Sequence, residues 1–94
     1  ETVQGQSSIM NITRSDGKNI PFAADIYDEQ GNVIGNVGQG GQAFVRGIEQ
    51  QGNISIKWLE QSKPVSCLAH YQQSPEAEKI AQSIILNGIR CQIQ

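Results

Sequence analysis

Residues Ile20–Ile48 read IPFAADIYDEQGNVIGNVGQGGQAFVRGI, a series of short apolar runs broken every few positions by turn residues, and the reading of this block decides the fold. Between Phe22 and Tyr27 the side chains alternate, with Phe22, Ala24 and Ile26 on one face and Asp25 on the other, the two-residue period of a half-buried strand. Pro21 is tolerated there because the first residue of a strand can lack its backbone donor. Asp28-Glu29-Gln30-Gly31-Asn32 is a turn, and Val33–Val37 and Gln42–Arg46 are two short strands around Gly38-Gln39-Gly40-Gly41. Their brevity places them at an edge or in a bulged region.

Working outward, Ser7–Thr13 alternates with Met10 and Ile12 on one face, and Ser15-Asp16-Gly17-Lys18 turns it. After the turn signal Gln51-Gly52, NISIKWL at Asn53–Leu59 sends Ile54, Ile56 and Trp58 inward, with Trp58 expected at the centre of the core. Leu59 breaks the alternation and belongs at an exposed strand end. Beyond Ser62-Lys63-Pro64, the run Val65–Tyr71 puts Val65, Cys67, Ala69 and Tyr71 on one face. The period then changes. Ser74-Pro75-Glu76 is a helix start, Ala77, Ile80, Ala81, Ile84 and Ile85 form a stripe at helical spacing, and Asn87-Gly88 is a stop. A short C-terminal helix or a loose tail over 74–94 is the expectation.

The 94 residues suffice for one domain, 1–94, with a strand core over about 7–72. Six to seven short antiparallel strands in so short a chain predict an all-β Greek-key β-sandwich, two packed sheets with the helix over one end. The net charge of −2, with 17% of residues charged, argues against nucleic acid as a partner. No apolar run approaches the roughly 20 residues that span a bilayer as a helix. The start at Glu1 without methionine fits a mature secreted product or a domain cut from a longer protein.

Cys67 and Cys91 are the only cysteines, and their spacing suits neither a C-x-x-C redox pair nor a zinc site. A structural disulfide, implying an oxidising compartment, is one reading; a core Cys67 with a free Cys91 thiol in a tail is the other.

Several motifs invite a chemical reading that their context rejects. The glycine-rich segment Gly35–Gly41 could cradle a phosphate, yet a strand-forming Ala43-Phe44-Val45 follows where a helix N-terminus is required. His70 stands beside Tyr71 on a strand, without a nucleophile elbow at Ser66 and with Cys67 expected to be oxidised. Asp25, Asp28 and Glu29 lack the alternating spacing of a calcium loop. No catalytic, cofactor-binding or metal-binding residue is therefore expected, and the chain does not read as an enzyme.

The order of features from Gly17 to Tyr71 carries a resemblance: PFAA, the DEQGN turn, the IGNVGQGGQ hairpin, AFVRG, a strand ending in Trp58, then Cys67 and Tyr71. In this order the chain resembles the C-terminal domain of the outer-membrane ushers of chaperone–usher pilus assembly, most of all the usher of P pili. It departs from the family at Ala23 and at Leu59 after Trp58, where glycines are usual. The second cysteine near the end matches the family and favours a Cys67–Cys91 disulfide.

The resemblance implies a domain on the periplasmic side of the bacterial outer membrane, within an integral outer-membrane protein but not itself membrane-inserted. It implies docking of periplasmic chaperone–pilus subunit complexes, or, as the alternative, a lid or spacer contacting the barrel, plug or other domains of the same usher chain. Candidate contact residues are Phe44, Arg46, Leu59 and Leu68, outward on the short strands and on the strand before the tail.

Overall fold

Alternating patterns become strands along most of the chain, which in this computed structural model is described at residues 6–73, 79–80 and 83–94. The strands are β1 (Gln6–Arg14), β2 (Asp25–Tyr27), β3 (Val33–Val37), β4 (Gln42–Ile48), β5 (Gln51–Glu60), β6 (Lys63–Gln72), β7 (Lys79–Ile80) and β8 (Ser83–Ile93), with a 3-10 turn at Gln39–Gly41. Their order in the sheet is β1-β4-β3-β2-β5-β6-β8, and β8 pairs back onto β1. Seven strands thus close into one barrel-like sheet, with the two-residue β7 attached beside β8.

This corrects the sandwich. The error lies in β8, the stretch read as a helix and its stop. Ser83–Ile93 is a strand that runs parallel to β1 from Ser7↔Ser83 to Arg14↔Cys91 and antiparallel to β6 from Cys67↔Ile93 to Ala69↔Cys91. With a helix there, β1 and β6 would be free edges and two layers would be needed to bury the core. With a strand there, the edges meet and the sheet encloses its own core. Residues 74–78 and 81–82 of the expected helix lie outside the described residues.

Asn87-Gly88, read as the helix stop, is a bulge within this strand. Ile84 and Leu86 point inward with period two, but Asn11 on β1 faces both Asn87 and Gly88, since the register runs Met10↔Leu86 and then Ile12↔Ile89. Gly88 takes the left-handed conformation (φ 72°), and the phase shifts so that Ile89 and Cys91 also point inward. Of the expected helical stripe, Ile84 and Ile85 are consecutive residues of this strand, Ile84 buried and Ile85 only partly so.

The interior follows the alternation elsewhere. Met10, Ile12, Ala24, Ile26, Val37, Ala43, Val45, Ile54, Ile56, Cys67, Ala69 and Tyr71 are buried. Trp58 belongs to the same cluster but sits at its margin, 9% exposed, while the fully buried centre is Met10, Ile26, Ile48, Ile54 and Ile56. The short strands β3 and β4 lie inside the sheet, not at an edge, β4 being paired on both sides by β1 and β3.

Phe22 is the second correction. It is 70% exposed because the strand begins only at Asp25. Ala23 adopts a left-handed φ of 72°, its N–H donates to Val37 O, and the Ala24 N–H donates to Pro21 O, so Pro21–Ala24 is a turn. Alternation across a turn carries no information about faces. The β5–β6 hairpin turns through Gln61 and Ser62, both at positive φ (53° and 67°), the two-residue geometry that matches the twist of the flanking strands.

Candidate docking surface

Among the described residues five large apolar side chains are exposed: Phe22 (70%), Leu59 (71%), Val33, Phe44 and Leu68. Phe22 and Leu59, from elements 35 or more residues apart in sequence, line one shallow depression at an end of the barrel together with Pro21, Tyr27, Trp58 and Pro64. The loop that turns at Ala23 supplies Phe22. The end of β5 supplies Leu59, whose partner across the hairpin is Pro64. The ammonium of Lys57 lies 4.8 Å from the Tyr27 ring centroid and flanks the patch with a positive charge.

Phe44 and Arg46 face outward from β4 on another part of the wall. Phe44 is paired with Ile9 on β1, and Ile9 in turn with Ile85 on β8, so a row of apolar side chains crosses three strands. Ser7, Ser83 and Arg46 border this row. Leu68 stands between Ser55 and Gln92 on its neighbouring strands and has no apolar companion across either ladder. The four sequence candidates therefore divide among three places. As surface residues Phe22, Pro64, Ile9 and Ile85 were missed, Phe22 having been placed inward and Ile85 on a helix; the signal for Phe22 was Pro21 before it and Ala23 in the place of a family glycine, which together announce a turn.

The polar features are structural. Cys67 and Cys91 form a disulfide, both fully buried, across the β6–β8 junction with Cα atoms 5.4 Å apart. His70 shares a hydrogen bond with Asn53 Oδ1 (3.1 Å) on the exterior. The Asp28 carboxylate accepts from the backbone N–H groups of Asn32 and Gln30, both 2.9 Å; the Asn32 bond is foremost in holding its pKa below the ordinary 3.8. Among the described residues no group of three or more His, Cys, Asp or Glu side chains is placed to hold a metal ion.

A family model described as the PapC C-terminal domain matches residues 9–75. The chain belongs to that family. It is 99% identical over all 94 residues to the outer membrane usher protein HtrE of Escherichia coli K12, of which it covers 11%. It is 33% identical over 82 residues (84% of this chain, 17% of the relative) to the probable outer membrane usher protein LpfC' of Escherichia coli O157:H7. The chain thus spans under a fifth of the length of these relatives. Among solved structures, the Caf1A usher C-terminal domain superposes with a TM-score of 0.72 at 25% identity, covering 93% of this chain and 97% of that one. The PapC usher C-terminal domain gives 0.70 at 21% identity, covering 93% and 99%, a likeness of fold. The usher family expected from the PFAA-to-Tyr71 order is therefore the family found, and these relatives are named as outer membrane proteins.

Proposed function

We propose that this usher domain docks periplasmic chaperone–pilus subunit complexes during fimbrial assembly, and that the barrel-end patch of Phe22, Leu59 and Pro64 is a principal contact. The observation that carries this is the placement of Phe22 and Leu59, each more than two-thirds exposed, in one depression that the core does not need. Apolar side chains gathered in this way mark a surface that is covered in some state of the molecule. The Caf1A domain supports the reading, since surface hydrophobic clusters on that usher domain are described as important for F1 antigen assembly. The Phe44–Ile9–Ile85 row, with Arg46 beside it, is a second contact of the same kind. A small interface of this sort binds weakly and reversibly, as a handover step requires.

The test is titration of a purified chaperone–subunit complex into the wild-type domain and into F22S/L59S and F44S/R46S variants. The expected result is loss of roughly tenfold or more in affinity for F22S/L59S, with an unchanged melting temperature, as for removal of a central apolar anchor. Wild-type affinity in both variants would end the proposal.

A second reading, a lid or spacer contacting the usher's own barrel or plug, draws on a further structural neighbour. This chain superposes with a TM-score of 0.68 at 22% identity, covering 99% of each chain, on a PapC structure described by the homology between that usher's C-terminal domain and its plug. A deletion that alters pore conductance while leaving chaperone–subunit binding intact would favour this reading.

A further inference from the structure

Strands β6 and β8 are ten and eleven residues long, yet they pair over only three residues each, Cys67–Ala69 against Cys91–Ile93, extended by the Gln94 N–H to Ser66 O bond of 2.9 Å. The other neighbours of these strands hold them far more extensively. β6 pairs with β5 in register from Gln51↔Gln72 to Glu60↔Lys63, and β8 pairs with β1 from Ser7↔Ser83 to Arg14↔Cys91. Four further junctions are also short, β2–β3, β2–β5, β3–β4 and β7–β8, but each involves the three-residue β2, the five-residue β3 or the two-residue β7. The β2–β3 and β3–β4 junctions are also closed by turns, through the Asp28 N–H to Asn32 O and Gly38 N–H to Gln42 O bonds. Among the described residues, only at β6–β8 do two long strands lie together over a small part of their length, and the disulfide sits there.

We propose that the barrel opens along the β6–β8 seam and that the Cys67–Cys91 bond is a redox latch holding it shut. Both sulfurs belong to fully buried residues, so a dithiol reductant reaches them only when the hydrogen bonds flanking the disulfide fray, and the strands part once the bond is cut. In the exchange the dithiol closes its own disulfide and gives up two electrons and two protons, leaving Cys67 and Cys91 as thiols. Opening breaks three residue pairs and the Gln94 bond, while β8 stays on β1 and β6 stays on β5. The opened seam presents two unpaired backbone edges, Ser66–Ala69 and Cys91–Gln94, which are templates for an added strand.

Amide hydrogen exchange on the oxidised chain, on the chain reduced with dithiothreitol, and on a C67A/C91A variant tests this. The expected result is a loss of protection at Leu68, Gln92 and Gln94 at least about tenfold larger than the loss at β1 and β5 amides such as Ile12 and Ile56, the mark of sub-global opening. Equal loss at all these amides, or no loss at the seam, overturns the proposal. Should the reduced and variant chains fail to fold, the rate of disulfide reduction in the wild-type protein decides, measured against urea. A reduction rate with a much weaker urea dependence than global unfolding is expected. A urea dependence equal to that of global unfolding overturns the latch.

Discussion

The guanidinium of Arg14 stands 5.1 Å from the centroid of the Trp58 ring, and both residues are tied to Glu60. Arg14, 7% exposed, comes from the end of β1, and it donates to Asp16 (2.8 Å) and Glu60 (3.4 Å), while the Trp58 indole N–H donates to the same Glu60 carboxylate (3.1 Å). A charged residue at an inward position is thereby matched by a ring face and two carboxylates at the rim of the barrel. Because Asp16 and Glu60 are each more than a third exposed, the ion pairs themselves are screened and the stacked, buried guanidinium carries most of the effect. R14A is expected to lower stability by about 2 kcal/mol and shift Trp58 fluorescence to the red, read in urea denaturation.

Two backbone positions have opposite expected responses. Ala23 holds a left-handed φ of 72°, where a Cβ costs about 1 kcal/mol, so A23G is expected to raise the urea midpoint by relieving it. Gly35 lies against β4, and a Cβ there would overlap the backbone carbonyl of Phe44. That backbone is locked in the β3–β4 ladder and cannot retreat, so G35A is expected to cost about 3 kcal/mol or more. Paired melting curves of the two variants check the contrast.

Acid should weaken the fold through two turns. The Lys18 N–H bond to Asp16, aided by Arg14, and the Asn32 N–H bond to Asp28 lower both carboxyl pKa values from 3.8. A carboxyl whose folded pKa is depressed binds fewer protons folded than unfolded, so its contribution is present above 3.8 and is lost as pH falls through the lowered value. Melting temperature should therefore hold above pH 4 and fall below it, and D28N should flatten part of that fall. Identical pH profiles for wild type and D28N would contradict the assignment.

Closing the 24-residue separation between Cys67 and Cys91 restricts the unfolded chain by about 3 kcal/mol in the loop-entropy treatment. Reduction should lower the global stability by that order, seen as a displaced urea midpoint between oxidised and reduced protein.

How much was legible differs from strand to strand. At β1, β5 and β6 the alternation of Met10 with Ile12, Ile54 with Ile56, and Cys67 with Ala69 named the inward faces directly, because one face meets water and the other does not. At β8 the helix start at Ser74-Pro75-Glu76 and the spacing of Ala77, Ile80, Ala81, Ile84 and Ile85 carried the helix reading into the strand, and the Asn87–Gly88 bulge passed for its stop. For the docking surface, the outward positions of Phe44, Arg46, Leu59 and Leu68 were readable, but their grouping was not. Phe22 meets Leu59 only because the Ala23 turn and the β5–β6 hairpin end at the same rim.

The sequence by itself determined the family, the all-β class, most strand faces and the two cysteines, all of which rest on local period and order along the chain. Tertiary structure alone decided that the sheet closes, that β8 is the closing strand, and which exposed apolar residues share a patch. Those outcomes depend on pairing between residues as far apart as Ser8 and Ile84. Local periodicity records which side of a strand is wet and holds nothing about which strand lies next to it.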